Sequence, residues 1–182
     1  MLIDKKLAGN FVAMRCVEVS DAPFIVKLRT NEELVTYIHK ISNDIKAQEQ
    51  WIKKQQQVDD DYYFIVTDKK TNDPIGLASI YNIENNGISE FGRWVSIGSA
   101  IQNLEVALLL FDFAFNELNV KAIRCANVKD NKKIVAFWKK FGAQFNKEYQ
   151  LDEFIISEYI TIRENYYKDI REKHYSLLKK FL

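Results

Sequence analysis

The chain has 182 residues, 47% hydrophobic and 28% charged, which is the size and composition of one soluble globular domain. Lys and Arg number 26 against 25 Asp and Glu, and a net charge of +1 excludes a general polyanion binder, which carries a basic excess or stripe. Only 2 Pro and 6 Gly exclude a collagen-like or linker-rich chain, while 12 Phe, 9 Tyr and 3 Trp are enough to fill a core and also line a cavity.

The first strand is expected over residues 11–19, Val-rich and loosely alternating. Ser20 is placed to cap a helix over 21–29, whose Phe24, Ile25 and Leu28 share one face. Asn31 caps a short turn reaching Tyr37, and a polar loop covers 39–43. Residues 44–57 read as a polar helix with a narrow stripe of Ile45, Gln48, Trp51 and Ile52. Strands at 62–67 and 75–82 flank the polar turn DKKTND and form a hairpin. Asn85-Asn86-Gly87 is a turn signal, and 88–96 is a third antiparallel strand.

The pattern then changes. Residues 104–118 are helical in length and apolar on nearly every face, which predicts burial against a sheet. A strand at 122–128, a helix at 131–141 closed by Gly142, and strands at 143–149 and 153–162 follow. Residues 163–182 read as a charged amphipathic helix with an apolar line from Tyr166 to Phe181. A strand meander followed by a βαβ crossover predicts a mixed sheet with helices on both faces. No repeat or boundary divides the chain, so one domain over 1–182 is expected, with its core at 10–162. Cys16 and Cys125 lie in apolar runs without metal or CxxC spacing, so they read as buried thiols and no metal is expected. With no apolar run near membrane-spanning length and no signal-peptide core, a cytoplasmic protein away from membranes is expected.

Two segments carry a family resemblance. ELNVKAIRCANVKDNKKIVAFWKKFGA, residues 117–143, resembles the strand, Asn-bearing loop and helix of the GCN5-related N-acetyltransferase (GNAT) superfamily, with Asn131, Phe137, Trp138, Lys140 and Gly142 at matching positions. EFGRWVSIGSAIQNLEVALLLFDFAF, residues 90–115, resembles its strand, pyrophosphate loop and helix, especially in the ribosomal-protein and nucleotide-amino-sugar branches. The resemblance implies an α/β (mixed α+β) domain. It would hold a central twisted, mostly antiparallel sheet of about six to seven strands with helices on both faces over residues 10–162, and the C-terminal helix at 163–182 is an extra outside that core. It also implies acetyl-CoA as cofactor and direct acetyl transfer to a primary amine in a ternary complex.

The site follows from that placement. A helix N-terminus offers unpaired N–H groups to the cofactor's pyrophosphate. Here that loop would be Gly98, Ser99, Ala100, Ile101, Gln102 and Asn103, where Ser99, Ile101 and Asn103 replace the usual glycines and only Gly98 readily takes positive φ. Ser99 and Asn103 could add side-chain donors. Val95, followed by Ser96, would polarise the thioester carbonyl through its N–H. Asn131 would hold the pantetheine arm or cap its helix, and Phe137, Trp138 and Lys140 would flank it. Trp138 stands where many members have a general-acid tyrosine, and indole offers no usable acid. A thiol pKa of about 8.5 makes unaided departure tolerable. Glu90 is the expected base, with His39 as its helper or as a reader of sugar hydroxyls. Tyr37, Tyr81, Asn82 and Phe91 would wall the acceptor site.

The acceptor expected is a small-molecule amine, preferably a nucleotide-linked amino sugar. The alternatives are a ribosomal-type protein or peptide acceptor and a non-catalytic acyl-CoA-binding domain. No nucleic-acid partner is expected. A homodimer is left open, with the tail helix as a candidate assembly surface.

Overall fold

The computed structural model describes residues 6–182. Eight strands form one sheet in the order β1-β2-β3-β4-β5-β6-β8-β7, one strand more than the upper expectation. The extra strand is β1 (Leu7–Ala8), a two-residue edge too short to show a period. β2 (Val12–Cys16), β3 (Tyr62–Asp68), β4 (Pro74–Tyr81) and β5 (Ile88–Ser96) continue the antiparallel run. β6 (Ala122–Val128) joins β5 in parallel, and β8 (Phe154–Ile162) and β7 (Gln144–Leu151) complete the sheet.

Helices α1 (Ala22–Arg29), α2 (Glu32–Val35) and α3 (Ile45–Gln55) pack over one apolar cluster containing Ile25, Ile52, Tyr63 and Leu77. α4 (Ala100–Asn116) packs in the larger cluster with Phe64, Ile80, Phe91 and Ile123. Alternate residues of the central strands therefore serve different helical layers, as the period of two requires. The buried, nearly all-apolar α4 is as expected, but it starts four residues early. Ser99 and Gln102 form a capping box that carries the helix back to Ala100.

Capping also corrects the entry to α1. Ser20 does not cap it; Val19–Asp21 form a 3-10 turn closed by reciprocal bonds between Glu18 and Asp21. Asn31 and Asp44 do cap α2 and α3, and Asn131 caps α5 (Lys132–Phe141), which ends on left-handed Gly142 (φ 105°). The tail is helical through α6 (Arg163–Asn165), a π turn (Tyr166–Ile170) and α7 (Arg171–Leu178). Its apolar line divides: Tyr166, Ile170, His174 and Leu178 are buried, while Tyr167, Leu177 and Phe181 stay exposed. Both cysteines are buried and unbridged. Among the described residues no helix is long and apolar enough to cross a membrane.

Candidate active site

β5 and β6 pair only at Ile88–Ala122, Ser89–Ile123 and Glu90–Arg124, and beyond Glu90 they part. A bulge helps to turn β5 away. Arg93 and Trp94 together face Ala78 of β4, and Arg93 takes φ 48°. The opening is a cleft of about 740 Å³, with Glu90 near its vertex. Gly92, in the strand beside it, has no room for a side chain: a Cβ would lie 2.6 Å from the Tyr81 hydroxyl. The glycine thus lets the Tyr81 ring lie close against the backbone of β5.

Glu90 is gripped by donors. Tyr81 Oη donates to Oε1 at 2.7 Å, Asn82 Nδ2 donates to Oε2 at 3.3 Å, and Arg124 Nη2 lies 3.6 Å from Oε2. Burial, with the neighbouring Glu90 carboxylate, pushes the Tyr81 phenol well above its ordinary value, so it remains a donor. Arg124 also meets Glu84 at 3.0 Å and Glu158 at 3.8 Å, so one cation organises three carboxylates at the vertex.

One wall is aromatic. Phe91, Trp94 and Trp138 meet in near-perpendicular or tilted pairs with centroids 5.1–5.8 Å apart, and Phe137 packs on Trp94 at 5.0 Å. Trp138 is 1% exposed yet lines the cleft, so it is core and wall at once. The indole N–H groups of Trp94 and Trp138 are buried without partners among the described residues. Such orphans are uncommon in a native fold and suit a ligand rich in carbonyl acceptors. Asn131 lines the cleft while its Oδ1 accepts from the Ile134 N–H at 3.3 Å, so capping and ligand contact are compatible.

The loop before α4 is less open than the sequence suggests. Gly98 N–H donates to Ser96 Oγ at 2.9 Å, Ser99 N–H to Gln102 Oε1 at 2.8 Å, and Gln102 N–H to Ser99 Oγ at 3.3 Å. Asn103 Nδ2 donates one hydrogen to the Gly98 carbonyl at 3.0 Å. Ser99 Oγ accepts in its cap and keeps its own O–H to donate, Asn103 keeps a second amide hydrogen, and Gly98 does not take positive φ. The Ala100 and Ile101 N–H groups are the ones left for an anion by these caps. Ile97 N–H donates to Ile75, and antiparallel alternation then turns Val95 N–H toward β4 and leaves that of Ser96 facing the split. The Val95 N–H expected to polarise the thioester is therefore engaged with β4.

Of the residues singled out in sequence, the structure brings Tyr37, His39, Tyr81, Glu90, Phe91, Asn131 and Trp138 to one cleft. Asn82 reaches it through Glu90. Val95, Ser96, Phe137, Lys140 and the 98–103 loop lie outside its lining. Two arginines escaped the sequence reading. Arg93 makes a bidentate pair with Asp61 at 2.6 and 2.9 Å, and its guanidinium stacks 4.3 Å from the Tyr81 ring. Arg29, 9% exposed, is the other. Its position at a helix end gave no hint of burial; only the fold turns it inward. Both line a second pocket of about 350 Å³ that shares Ile38, His39, Tyr81 and Arg93 with the first.

The comparisons agree with this geometry. The Acetyltransferase (GNAT) domain family matches residues 12–144. Among solved structures, apo FdhC, a nucleotide-linked sugar GNAT, is 31% identical over 93% of this chain and 98% of its own, with a TM-score of 0.78. A GCN5-related N-acetyltransferase from Brucella melitensis is 16% identical over 97% of this chain and 86% of its own, with a TM-score of 0.83. Spermidine N-acetyltransferase from Vibrio cholerae, in complex with CoA and spermine, is 18% identical over 87% of this chain and 99% of its own, at 0.78. The last two show the fold alone. No curated protein matches. The chain belongs to the GNAT family of acetyltransferases, and its cofactor is acetyl-CoA.

Proposed function

We propose that the chain transfers acetyl from acetyl-CoA to the primary amine of a nucleotide-linked amino sugar. The observation that carries the transfer is the carboxylate of Glu90 at the vertex of the split, in an aromatic-walled cleft. The similarity to a nucleotide-linked sugar GNAT over nearly the whole chain supports the sugar.

When bound, the cofactor supplies an activated acetyl thioester. The orphaned Trp94 and Trp138 N–H groups and the open edge of β5 suit its amide-bearing arm, and the Ala100 and Ile101 N–H groups suit its phosphates. Glu90 accepts the proton of the acceptor ammonium, directly or through a water, which leaves the nitrogen lone pair free. Tyr81 and Asn82 fix the carboxylate's orientation and Arg124 offsets its charge. Tyr37, His39 and Phe91 form the acceptor's wall, with the exposed His39 ring available to sugar hydroxyls. Trp138 contributes packing and an N–H but no acid, so the thiolate leaves without a protein proton.

The test is thiol release from acetyl-CoA with amino sugars, aminoglycosides, polyamines and peptides as acceptors. Glu90→Gln should lower kcat/KM roughly 10²–10⁴-fold while calorimetry finds CoA affinity unchanged. Full activity in that variant removes Glu90 as base. CoA binding with no turnover on any acceptor replaces the enzyme with an acyl-CoA-binding module.

A further inference from the structure

The second pocket lies between α1, the loop after α2, α3 and β5. Its lining includes Arg29, Arg93 and His39, the rings of Trp51, Tyr63 and Tyr81, and no carboxylate among the described residues. Arg93 is neutralised by Asp61 from outside the lining. Arg29 has no carboxylate partner among the described residues. Its Nη2 donates to the His39 carbonyl at 2.6 Å, it polarises the Tyr63 hydroxyl, and its Nε is buried without a partner.

A guanidinium that is 91% hidden and lacks a counter-ion is out of balance in an otherwise neutral chain. An anion entering the pocket would restore that balance through charge-assisted hydrogen bonds to Arg29. Trp51 stands 39% exposed, perpendicular to Tyr63 with centroids 5.7 Å apart and with the Arg93 guanidinium 5.5 Å from its ring centroid, so its exposed indole surface can meet a flat heterocycle. The pocket is continuous with the cleft through His39 and Tyr81, so one extended molecule can reach from Glu90 to Arg29.

We infer that this pocket binds the nucleoside diphosphate part of the acceptor, with Arg29 on phosphate oxygens and Trp51 against the base. The inference rests on the proposed acetyl transfer for its location but reads out separately. It also sets a direction for selectivity: a polyamine would place cations beside Arg29 and Arg93, and is disfavoured.

The experiment is calorimetry on the full chain with uridine diphosphate, inorganic pyrophosphate, CoA and spermidine as separate probes. Uridine diphosphate should bind, and Arg29→Gln should weaken it about ten- to a hundredfold, the range for a lost hydrogen bond to a charged group. Arg29→Lys should fall between, and CoA affinity should not move. Trp51→Ala, checked for folding by circular dichroism, should weaken uridine diphosphate but not pyrophosphate.

Unchanged uridine diphosphate binding in a folded Arg29→Gln, or displacement of uridine diphosphate by CoA, overturns the proposal. So does equal binding of pyrophosphate and uridine diphosphate with no effect of Trp51→Ala. If Arg29→Gln does not fold, Trp51→Ala decides alone. Efficient acetyl transfer to free amino sugars without uridine diphosphate binding overturns only this inference. Binding without transfer to any amine overturns the enzymatic reading instead.

Discussion

His174 stacks on Phe141 with centroids 5.1 Å apart and planes 6° from parallel, and its Nε2 meets the Phe141 carbonyl at 2.8 Å. The carbonyl can only accept, so the neutral ring carries its proton on Nε2. Nδ1 is buried with no partner among the described residues, and a second proton there would be an uncompensated buried charge. Burial accordingly lowers the His174 pKa below its ordinary 6.5. The unfolded chain then binds more protons than the folded one below that value. Stability should be intact above pH 6.5 and fall as pH drops from there toward the folded pKa. The limiting slope is about 1.4 kcal/mol per pH unit. Urea unfolding at a series of pH values should show this slope in the native chain and a shallower one in His174→Gln. In sequence His174 is legible as part of an apolar helical line; that its ring stacks on α5 is a tertiary fact without local signature. Arg29 and Arg93 are hidden for the same reason, since an arginine reads as surface until the fold encloses it.

Element α5 shows how much local chemistry a short segment can declare. Asn131 at its start and Gly142 at its end are both readable, and both do what their residue types suggest. At the C-terminus the Gly142 and Ala143 N–H groups both donate to the Trp138 carbonyl at 3.1 Å. Gly142 sits at φ 105°, and a Cβ there would come 3.0 Å from Ile170 of the tail. Gly142→Ala should destabilise the fold by about 1–2 kcal/mol from the backbone alone, and more from the Ile170 contact. Denaturant titration measures this, and an unchanged midpoint would remove glycine's special role. The β5 bulge was not legible in the same way. Gly92-Arg93 reads as strand, and only pairing with β4 reveals the extra residue that opens the cleft.

Across the whole molecule, the polar fastening of the tail helix to the core converges on Asp112 of α4, beside the buried Tyr166, Ile170 and Leu178. Its carboxylate accepts from Tyr166 Oη at 3.0 Å, Tyr175 Oη at 2.8 Å, and Arg171 Nε and Nη2 at 2.8 and 3.0 Å. Removing one partner of such a partly buried network leaves the others unsatisfied. Asp112→Ala should therefore cost about 1.5–3 kcal/mol, the range for lost hydrogen bonds to a charged group, because Arg171 is 36% exposed and the pair is only partly buried. Urea unfolding followed by far-UV circular dichroism measures it. A loss below 1 kcal/mol, roughly the worth of a surface pair, would show the latch is only superficial. The antiparallel meander and the parallel crossover into β6 followed from the succession of elements, whereas the insertion of β8 between β6 and β7 did not. The latch did not, because Asp112 lies in a helix read as apolar and its partners lie more than fifty positions away in sequence.

The three-rung seam between β5 and β6 has a thermodynamic consequence. The sheet is two antiparallel blocks, β1–β5 and β6–β8, joined by a few parallel pairs and then left apart. Whatever extends into that gap takes the place of an absent strand and cements the blocks. Cofactor affinity and conformational stability then become two readings of one free energy. At a ligand concentration of a hundred times Kd the linkage amounts to about 2.7 kcal/mol, comparable with a sizeable core substitution. In the cell, the resistance of this protein to heat and proteolysis would rise and fall with the supply of acetyl-CoA.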